Sequence, residues 1–132
     1  MKGYKSNIEK DTLGNNDFRS VLYTGKQIQL VLMSLKPGED IGEETHIGHD
    51  QFFRFEKGTG KCIIDGHEYD IKDGDAIIVP AGAKHNVINI SQHDELKMYT
   101  IYGPPNHLDG TVRTTKEAAE KQPEEFDGIS TE

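Results

Sequence analysis

Residues 74–89 read GDAIIVPAGAKHNVIN and combine a short run of branched apolar residues, a Pro-Ala-Gly turn and a histidine. The run Ala76 to Val79 has the length and composition of a buried strand. The turn after it redirects the chain, so that the histidine opens the next strand. The positions that set the spacing of this stretch are Gly74, Pro80, Gly82, His85 and Asn89.

Short strand-like runs continue on both sides of this stretch. Each is bounded by Gly, Pro or Asp, and the Asp65-Gly66 pair is a strong hairpin signal. Short strands at hairpin spacing predict an all-β, antiparallel sandwich or barrel. The predicted strands cover residues 27–35, 52–55, 61–64, 67–71, 76–79, 85–90 and 96–102.

The 132 residues are divided into three zones by composition. Residues 1–16 are polar and predict an N-terminal arm, and residues 17–110 predict the β-barrel. Residues 111–132 predict a C-terminal helical or frayed tail, with good helix formers behind Thr115 as a cap and a stop before Pro123. A chain of this length buries a hydrophobic core without disulfides.

The net charge of −8 argues against nucleic acid and anionic membranes as partners, because both require a basic face. No apolar run approaches the length of a membrane span or of a secretory signal, so we expect a cytoplasmic protein. The single cysteine, Cys62, excludes an internal disulfide and is expected to be a small buried residue.

A second spaced stretch lies upstream, at residues 38–58 (GEDIGEETHIGHDQFFRFEKG). Glu44 and His46 are two positions apart, so on a strand they project to one face. In a small barrel, inward positions of neighbouring strands converge, which brings Gln51 and His85 towards the same point. Two imidazoles and one carboxylate form a 2-His-1-carboxylate donor set that leaves coordination positions open. The sequence therefore predicts a metal site of Glu44, His46, Gln51 and His85.

Together the two stretches resemble the paired motifs of the cupin superfamily, over residues 25–102. The second stretch matches the family at every fixed position. The first matches in spacing but has Glu44 where the family usually has His, and Gln51 where it usually has Glu. The resemblance implies a cupin-type barrel (a double-stranded β-helix or jelly roll) with a short C-terminal helix and one divalent ion, with Mn, Fe, Zn and Ni as candidates. It also implies a homodimer, often formed by exchange of N-terminal strands.

Each proposed ligand has a plainer interpretation. His46 and His85 are ordinary histidines at strand ends in that view, and Glu44 is one more solvated carboxylate of the acidic run at residues 39–44. Gln51 is then an amide that hydrogen-bonds to a ligand while water completes the coordination.

Other polar and aromatic residues are assigned by parity and position. Phe53 and Phe55 share the parity of Gln51, which favours either the site lining or the core, and at most one of Tyr99 and Tyr102 faces the site. The remaining histidines are assigned to the surface or the barrel mouth: His49 at the mouth or surface, His67 and His93 exposed, and His107 able to fold over the mouth. Arg19 is assigned to a surface salt bridge, with contact to an anionic substrate as the alternative.

The chain also resembles the mannose-6-phosphate isomerase-like cupins, and uronate-linearising cupins are similar in having Gln at the Gln51 position. The resemblance implies an isomerase- or lyase-like enzyme that uses the metal as a Lewis acid on a sugar or sugar acid, or a dioxygenase that uses it as a redox centre. The alternatives are a metal-stabilised module that binds a small ligand without turnover, and a structural protein that has lost its metal. No catalytic base is assigned by the sequence.

Overall fold

A computed structural model describes all 132 residues of the chain. Neither of its helices has the length and apolar character that a membrane crossing requires. Ten strands lie between the two helices, and the elements run in chain order as α1 (Ile8–Gly14), β1 (Arg19–Thr24), β2 (Gln29–Leu35), β3 (Glu44–Thr45), β4 (Asp50–Lys57), β5 (Thr59–Ile64), β6 (His67–Lys72), β7 (Ala76–Val79), β8 (Lys84–Asn89), β9 (Leu96–Gly103), β10 (Val112–Arg113) and α2 (Lys116–Lys121).

The strands form two sheets in which every pair is antiparallel. The larger sheet has the order β10-β1-β2-β9-β4-β7, and the smaller has the order β3-β8-β5-β6. Strands that are distant in sequence are neighbours in space, as in the pairing of β2 with β9. The prediction of an all-β, antiparallel barrel with a short C-terminal helix is confirmed.

The core lies between the inner faces of the two sheets. Buried residues alternate with partly exposed ones along β4 and β8, as period-2 strands with one inward face require. Phe53 and Phe55 stack in this core with ring centroids 6.1 Å apart, so their assignment as core residues is the correct one. Cys62 is fully buried, as predicted.

One turn and one position inside a strand depend on backbone conformation or close approach. Asp65 and Gly66 both have positive φ, +46° and +82°, which matches the tight hairpin predicted between β5 and β6. Gly60, within β5, lies very close to β8 and β9. A Cβ atom at this position would be 2.6 Å from the Ile88 carbonyl oxygen and 2.8 Å from Leu96 Cδ2. The smaller sheet therefore requires glycine at this position.

The prediction that residues 76–79 are buried was wrong for most of the strand. Ala76 is exposed and Ile78 is 66% exposed, whereas Val79 is buried. The physical reason is position, because β7 is at the edge of the larger sheet and has one covered face only. Strands β1, β3 and β10 were not predicted, since two of them have only two residues each.

The N-terminal segment, predicted as an arm, contains helix α1, and Asn7 caps it by accepting a hydrogen bond from the Lys10 amide. At the other end Thr115 caps α2 as predicted, through the Ala118 amide. Strand β10 falls within residues 111–132 and pairs with β1, so part of the predicted tail belongs to the larger sheet. The domain boundaries at residues 16/17 and 110/111 stay predictions.

Candidate metal centre

A short strand pairing holds two of the predicted ligands. In the pair of β3 with β8, Glu44 lies opposite His85 and Thr45 lies opposite Lys84. The pairing is extended by the Gly82 amide, which donates to the His46 carbonyl at 2.8 Å. The Pro-Ala-Gly turn before β8 therefore fixes the backbone at His46 and leads the chain to His85.

The side chains of Glu44, His46 and His85 converge. One potential ligand atom from each lies within 4.8 Å of the other two. His46 Nε2 is 3.1 Å from Glu44 Oε2, and the rings of His46 and His85 have centroids 5.4 Å apart. The structure thus brings together three of the four residues that the sequence predicted for the metal site, in an arrangement that a single divalent ion can bridge.

Gln51 is the fourth predicted residue and comes from the larger sheet. It is 2% exposed at the start of β4, and its Nε2 donates to Thr100 Oγ1 at 3.0 Å. That bond orients the amide, and its Oε1 is buried without a hydrogen-bond partner. Gln51 pairs in register with Tyr102, whose ring meets that of His46 edge-on.

His85 carries a second unpartnered atom. Its Nδ1 lies 3.1 Å from the Ala83 carbonyl oxygen, so Nδ1 holds the proton and Nε2 carries the lone pair. His85 Nε2 is buried with no partner. Unpaired buried polar atoms are costly, and a divalent ion is an acceptor of lone pairs from both an imidazole nitrogen and an amide oxygen. These residues therefore fit a metal ion.

The charge of Glu44 suits the same purpose. Burial opposes its ionisation, but the hydrogen bond from His46 and the positive charge of Arg19 outweigh burial, and the pKa of the Glu44 carboxyl lies below its usual value. At neutral pH it is therefore an anionic oxygen donor, the kind that hard divalent ions prefer.

A buried hydrogen-bonded chain forms one wall beside these donors. Tyr102 is in the core cluster, and its hydroxyl lies 3.2 Å from His107 Nε2. His107 Nδ1 lies 3.0 Å from Glu124 Oε1, so Nδ1 carries the proton and Nε2 accepts from the Tyr102 hydroxyl. Burial lowers the pKa of His107 despite the hydrogen bond to Glu124, and the imidazole is neutral.

This wall was predicted only in part from the sequence. Parity indicated that at most one of Tyr99 and Tyr102 would face the site, and Tyr102 is that residue. His107 is buried, and its ring lies edge-on to that of Tyr102 with the centroids 5.0 Å apart. Glu124 was missed, because a lone glutamate in an acidic tail carries no signal that it will be recruited by a buried histidine.

A cavity of about 250 Å³ opens beside Glu44. Its walls come from the start of β1, the α2 helix and the segment after that helix, so the C-terminal residues complete it. Arg19, Lys116 and Glu124 are among its charged residues. Arg19 was predicted either in a surface salt bridge or in reach of an anionic substrate. The surface location is wrong, since Arg19 is only 8% exposed, because β10 and the C-terminal segment cover β1.

The other histidines are outside the donor group. His49 is half-buried and lies 2.8 Å from the Pro104 carbonyl oxygen, with its ring edge-on to His46. His67 and His93 are exposed, as predicted.

This chain is similar to known proteins in sequence and in fold. A family model described as Cupin domain matches residues 31–102, which contain all four predicted ligands. The uncharacterized protein YrkC of Bacillus subtilis is 47% identical over 121 residues. The match covers 87% of this chain but 64% of YrkC, so the chain spans less than two thirds of that relative.

Solved structures agree in fold. The crystal structure of BH2720 from Bacillus halodurans superimposes with a TM-score of 0.89 at 41% identity, over 92% of this chain and 96% of that one. A RmlC-like cupin from Shewanella frigidimarina has a TM-score of 0.60 at 19% identity, over 65% and 74% of the two chains, which supports the fold alone. The fold, the family match and these likenesses lead to one assignment: the chain belongs to the cupin family.

Proposed function

We propose that this cupin binds one divalent metal ion through Glu44, His46 and His85, with Gln51 Oε1 as a further donor. The observation that carries the proposal is the convergence of three donor groups within 4.8 Å, together with two unpartnered buried atoms, His85 Nε2 and Gln51 Oε1. Sites of two histidines and one carboxylate accept Mn, Fe, Zn or Ni, so the donors leave the identity of the metal open.

We further propose that the protein is an enzyme acting on a small, oxygen-rich molecule such as a sugar or sugar acid, with isomerase- or lyase-like chemistry. A divalent ion in this site supplies Lewis acidity that polarises a carbonyl or hydroxyl, or a redox centre in a dioxygenase. The cavity beside Glu44 has room for a small molecule and is lined mostly by polar groups, which suits an oxygen-rich substrate.

The chain's own residues supply the rest of such a site. Burial raises the pKa of Tyr102 well above its usual value, so its hydroxyl is protonated and donates to His107 Nε2. The His107–Glu124 bond holds that imidazole in one tautomer. Tyr102, His107 and Glu124 therefore form a rigid polar wall that orients a bound molecule.

The rival proposal is a metal-stabilised module that binds a small ligand without turnover. It uses the same donors and cavity, and it differs only in whether bound molecules are converted. A further proposal, implied by the family, is a homodimer in the cytoplasm with a small molecule as its other partner.

The first test is elemental analysis of protein purified without added metal. We expect about one divalent ion per chain, and a chain without metal that also fails to bind Mn(II), Ni(II) or Zn(II) would contradict the proposal. A screen of sugars and sugar acids with the loaded protein, in air and without oxygen, then separates a Lewis-acid enzyme, a dioxygenase and a binding module. Sedimentation at micromolar concentration tests the dimer.

A further inference from the structure

The cavity beside the metal donors contains a buried arginine with unused hydrogen-bonding capacity. Arg19 is the first residue of β1, is 8% exposed and lines the cavity. The ring of Phe18 lies against it, 5.4 Å from the guanidinium carbon. A charged group in such a position is costly unless it is paired and hydrogen-bonded.

The pairing of Arg19 is incomplete. Its Nε is buried without any acceptor, and its ion pair with Glu124 is long, at 3.8 Å from Nη1 to Oε1. That separation exceeds a hydrogen bond. The guanidinium presents five N–H donors in a planar fork, so this contact leaves most of its capacity for an oxyanion unused.

Glu124 does not act as a hydrogen-bond acceptor for Arg19. Its Oε1 lies 3.0 Å from His107 Nδ1, and its Oε2 accepts no hydrogen bond and lies 3.5 Å from Arg113 Nη2. The other cation of the cavity, Lys116, forms a close ion pair with Asp40. Arg19 is thus the cationic group of the cavity that still lacks a close partner.

We propose that this cavity binds a small organic acid, with the carboxylate of the ligand held by Arg19 and the rest of the molecule turned towards Glu44 and the metal donors. The inference rests on the proposed function and names its substrate class. A planar carboxylate matches the guanidinium fork. The carboxylates of Glu44, Glu120 and Glu124 around the cavity favour a monoanion over a doubly charged phosphate, and a cavity of about 250 Å³ has room for a small acid.

The test uses the full chain after chelation, so that it does not depend on metal. Calorimetry or ligand-observed NMR measures binding of galacturonate, gluconate and lactate, with galactose as the neutral counterpart of galacturonate and inorganic phosphate as the dianion. We expect at least one acid to bind saturably, and galactose and phosphate to bind more weakly.

Three variants locate the contact. Arg19→Gln should weaken binding of that acid by about tenfold or more, because a charged hydrogen-bonded anchor is lost. Arg19→Lys, which keeps the charge but loses the fork, should bind with intermediate affinity. Arg54→Gln is the matched control: it removes an arginine that pairs with Glu56 and does not line the cavity, and it should change the affinity less than twofold.

Folding and metal binding are measured on the same variants, by circular dichroism and by metal titration. If Arg19→Gln is unfolded, the comparison of Arg19→Lys with wild type decides. Equal affinities of wild type and the Arg19 variants, preference for phosphate, or no acid bound below about 10 mM would each overturn the proposal. Loss of metal binding alone would instead count against the proposed function and leave the Arg19 site standing.

Discussion

Glu44 and His85 are direct partners across the antiparallel pair of β3 and β8, so a single backbone register sets the position of two proposed metal donors. His46 follows immediately and is held by the bond from the Gly82 amide to its carbonyl. Because backbone bonds position these donors, a side chain can be removed without loss of the framework. Substitutions there should therefore report on metal binding more than on folding.

Removal of either histidine should abolish the site. In His46→Ala and in His85→Ala the bound metal should fall from about one ion per chain to near zero, because too few donors remain for tight coordination. Metal content after dialysis, measured by elemental analysis, checks this.

His67→Ala and His93→Ala are the matched controls, since both histidines are exposed and outside the group of donors. They should keep the wild-type stoichiometry. If all four variants bind equal amounts of metal, the ligand assignment is wrong.

The unusual positions of the carboxylate and the amide give an asymmetric prediction. Glu44 with two histidines and Gln51 carries one negative charge, the same as the usual three histidines and one glutamate. Glu44→Gln leaves neutral donors only, so affinity for Mn(II) or Zn(II) should fall by about tenfold or more. Gln51→Glu adds a carboxylate, should bind metal more tightly, and should lower any turnover because the ion becomes a weaker Lewis acid.

The structure permits the second substitution. The Thr100 hydroxyl now accepts from Gln51 Nε2, and a hydroxyl can rotate to donate to a carboxylate. Titration of both variants after chelation is the measurement. Equal affinity of Glu44→Gln and wild type would show that Glu44 is not a ligand.

Gly60→Ala should destabilise the barrel by about 2 kcal/mol or more, which corresponds to a loss of about 6 °C in Tm. The added methyl group meets the Ile88 carbonyl oxygen at 2.6 Å, and backbone cannot move aside without breaking the pairing of β5 with β8. Thermal unfolding by circular dichroism measures it. Gly14→Ala, at the end of α1 with no atom in reach, should leave the Tm unchanged or slightly raised.

The thiol of Cys62 should be inert in the folded protein. Burial raises the pKa of Cys62 to about 11, so roughly a thousandth of it is thiolate at pH 8, and the side chain is fully buried. A thiol reagent at pH 8 should react at the rate of unfolding, and at once in denaturant. Rapid reaction of the folded protein would contradict the burial.

The same thiol predicts a dependence of stability on pH. The unfolded thiol ionises near pH 8.5 while the folded thiol keeps its proton to about pH 11. Its contribution to the free energy of unfolding is therefore full below about pH 8.5 and falls as pH rises towards 11. Urea unfolding at pH 8 and pH 10 should show a larger loss for wild type than for Cys62→Ala.

The sequence predicted the barrel because its evidence is local. Hairpin turns such as Asp65-Gly66 and runs such as residues 96–102 carry their own signal of strand and turn. The donors Glu44, His46 and His85 were predicted because their spacing is fixed by short elements. The edge position of β7 was not predicted, because the exposure of Ile78 depends on which strands lie beside β7.

The cavity was beyond sequence reasoning for a related reason. Arg19 and Glu124 are 105 positions apart, and they meet only because β10 pairs with β1 and turns the C-terminal segment back over the barrel. No periodicity in the sequence encodes that return. The burial of His107 depends on the same segment.

Tyr102 contributes both to the hydrophobic core and to the site, since its ring packs in the core and its hydroxyl donates to His107. Most cores tolerate exchange of one large apolar residue for another. Here such an exchange would also remove two contacts of the site: the hydroxyl that donates to the His107 imidazole, and the ring that lies edge-on to His46. Directed evolution for thermostability that repacks this region would therefore alter ligand preference along with stability, and residue 102 should be held constant in any library meant to improve one without the other.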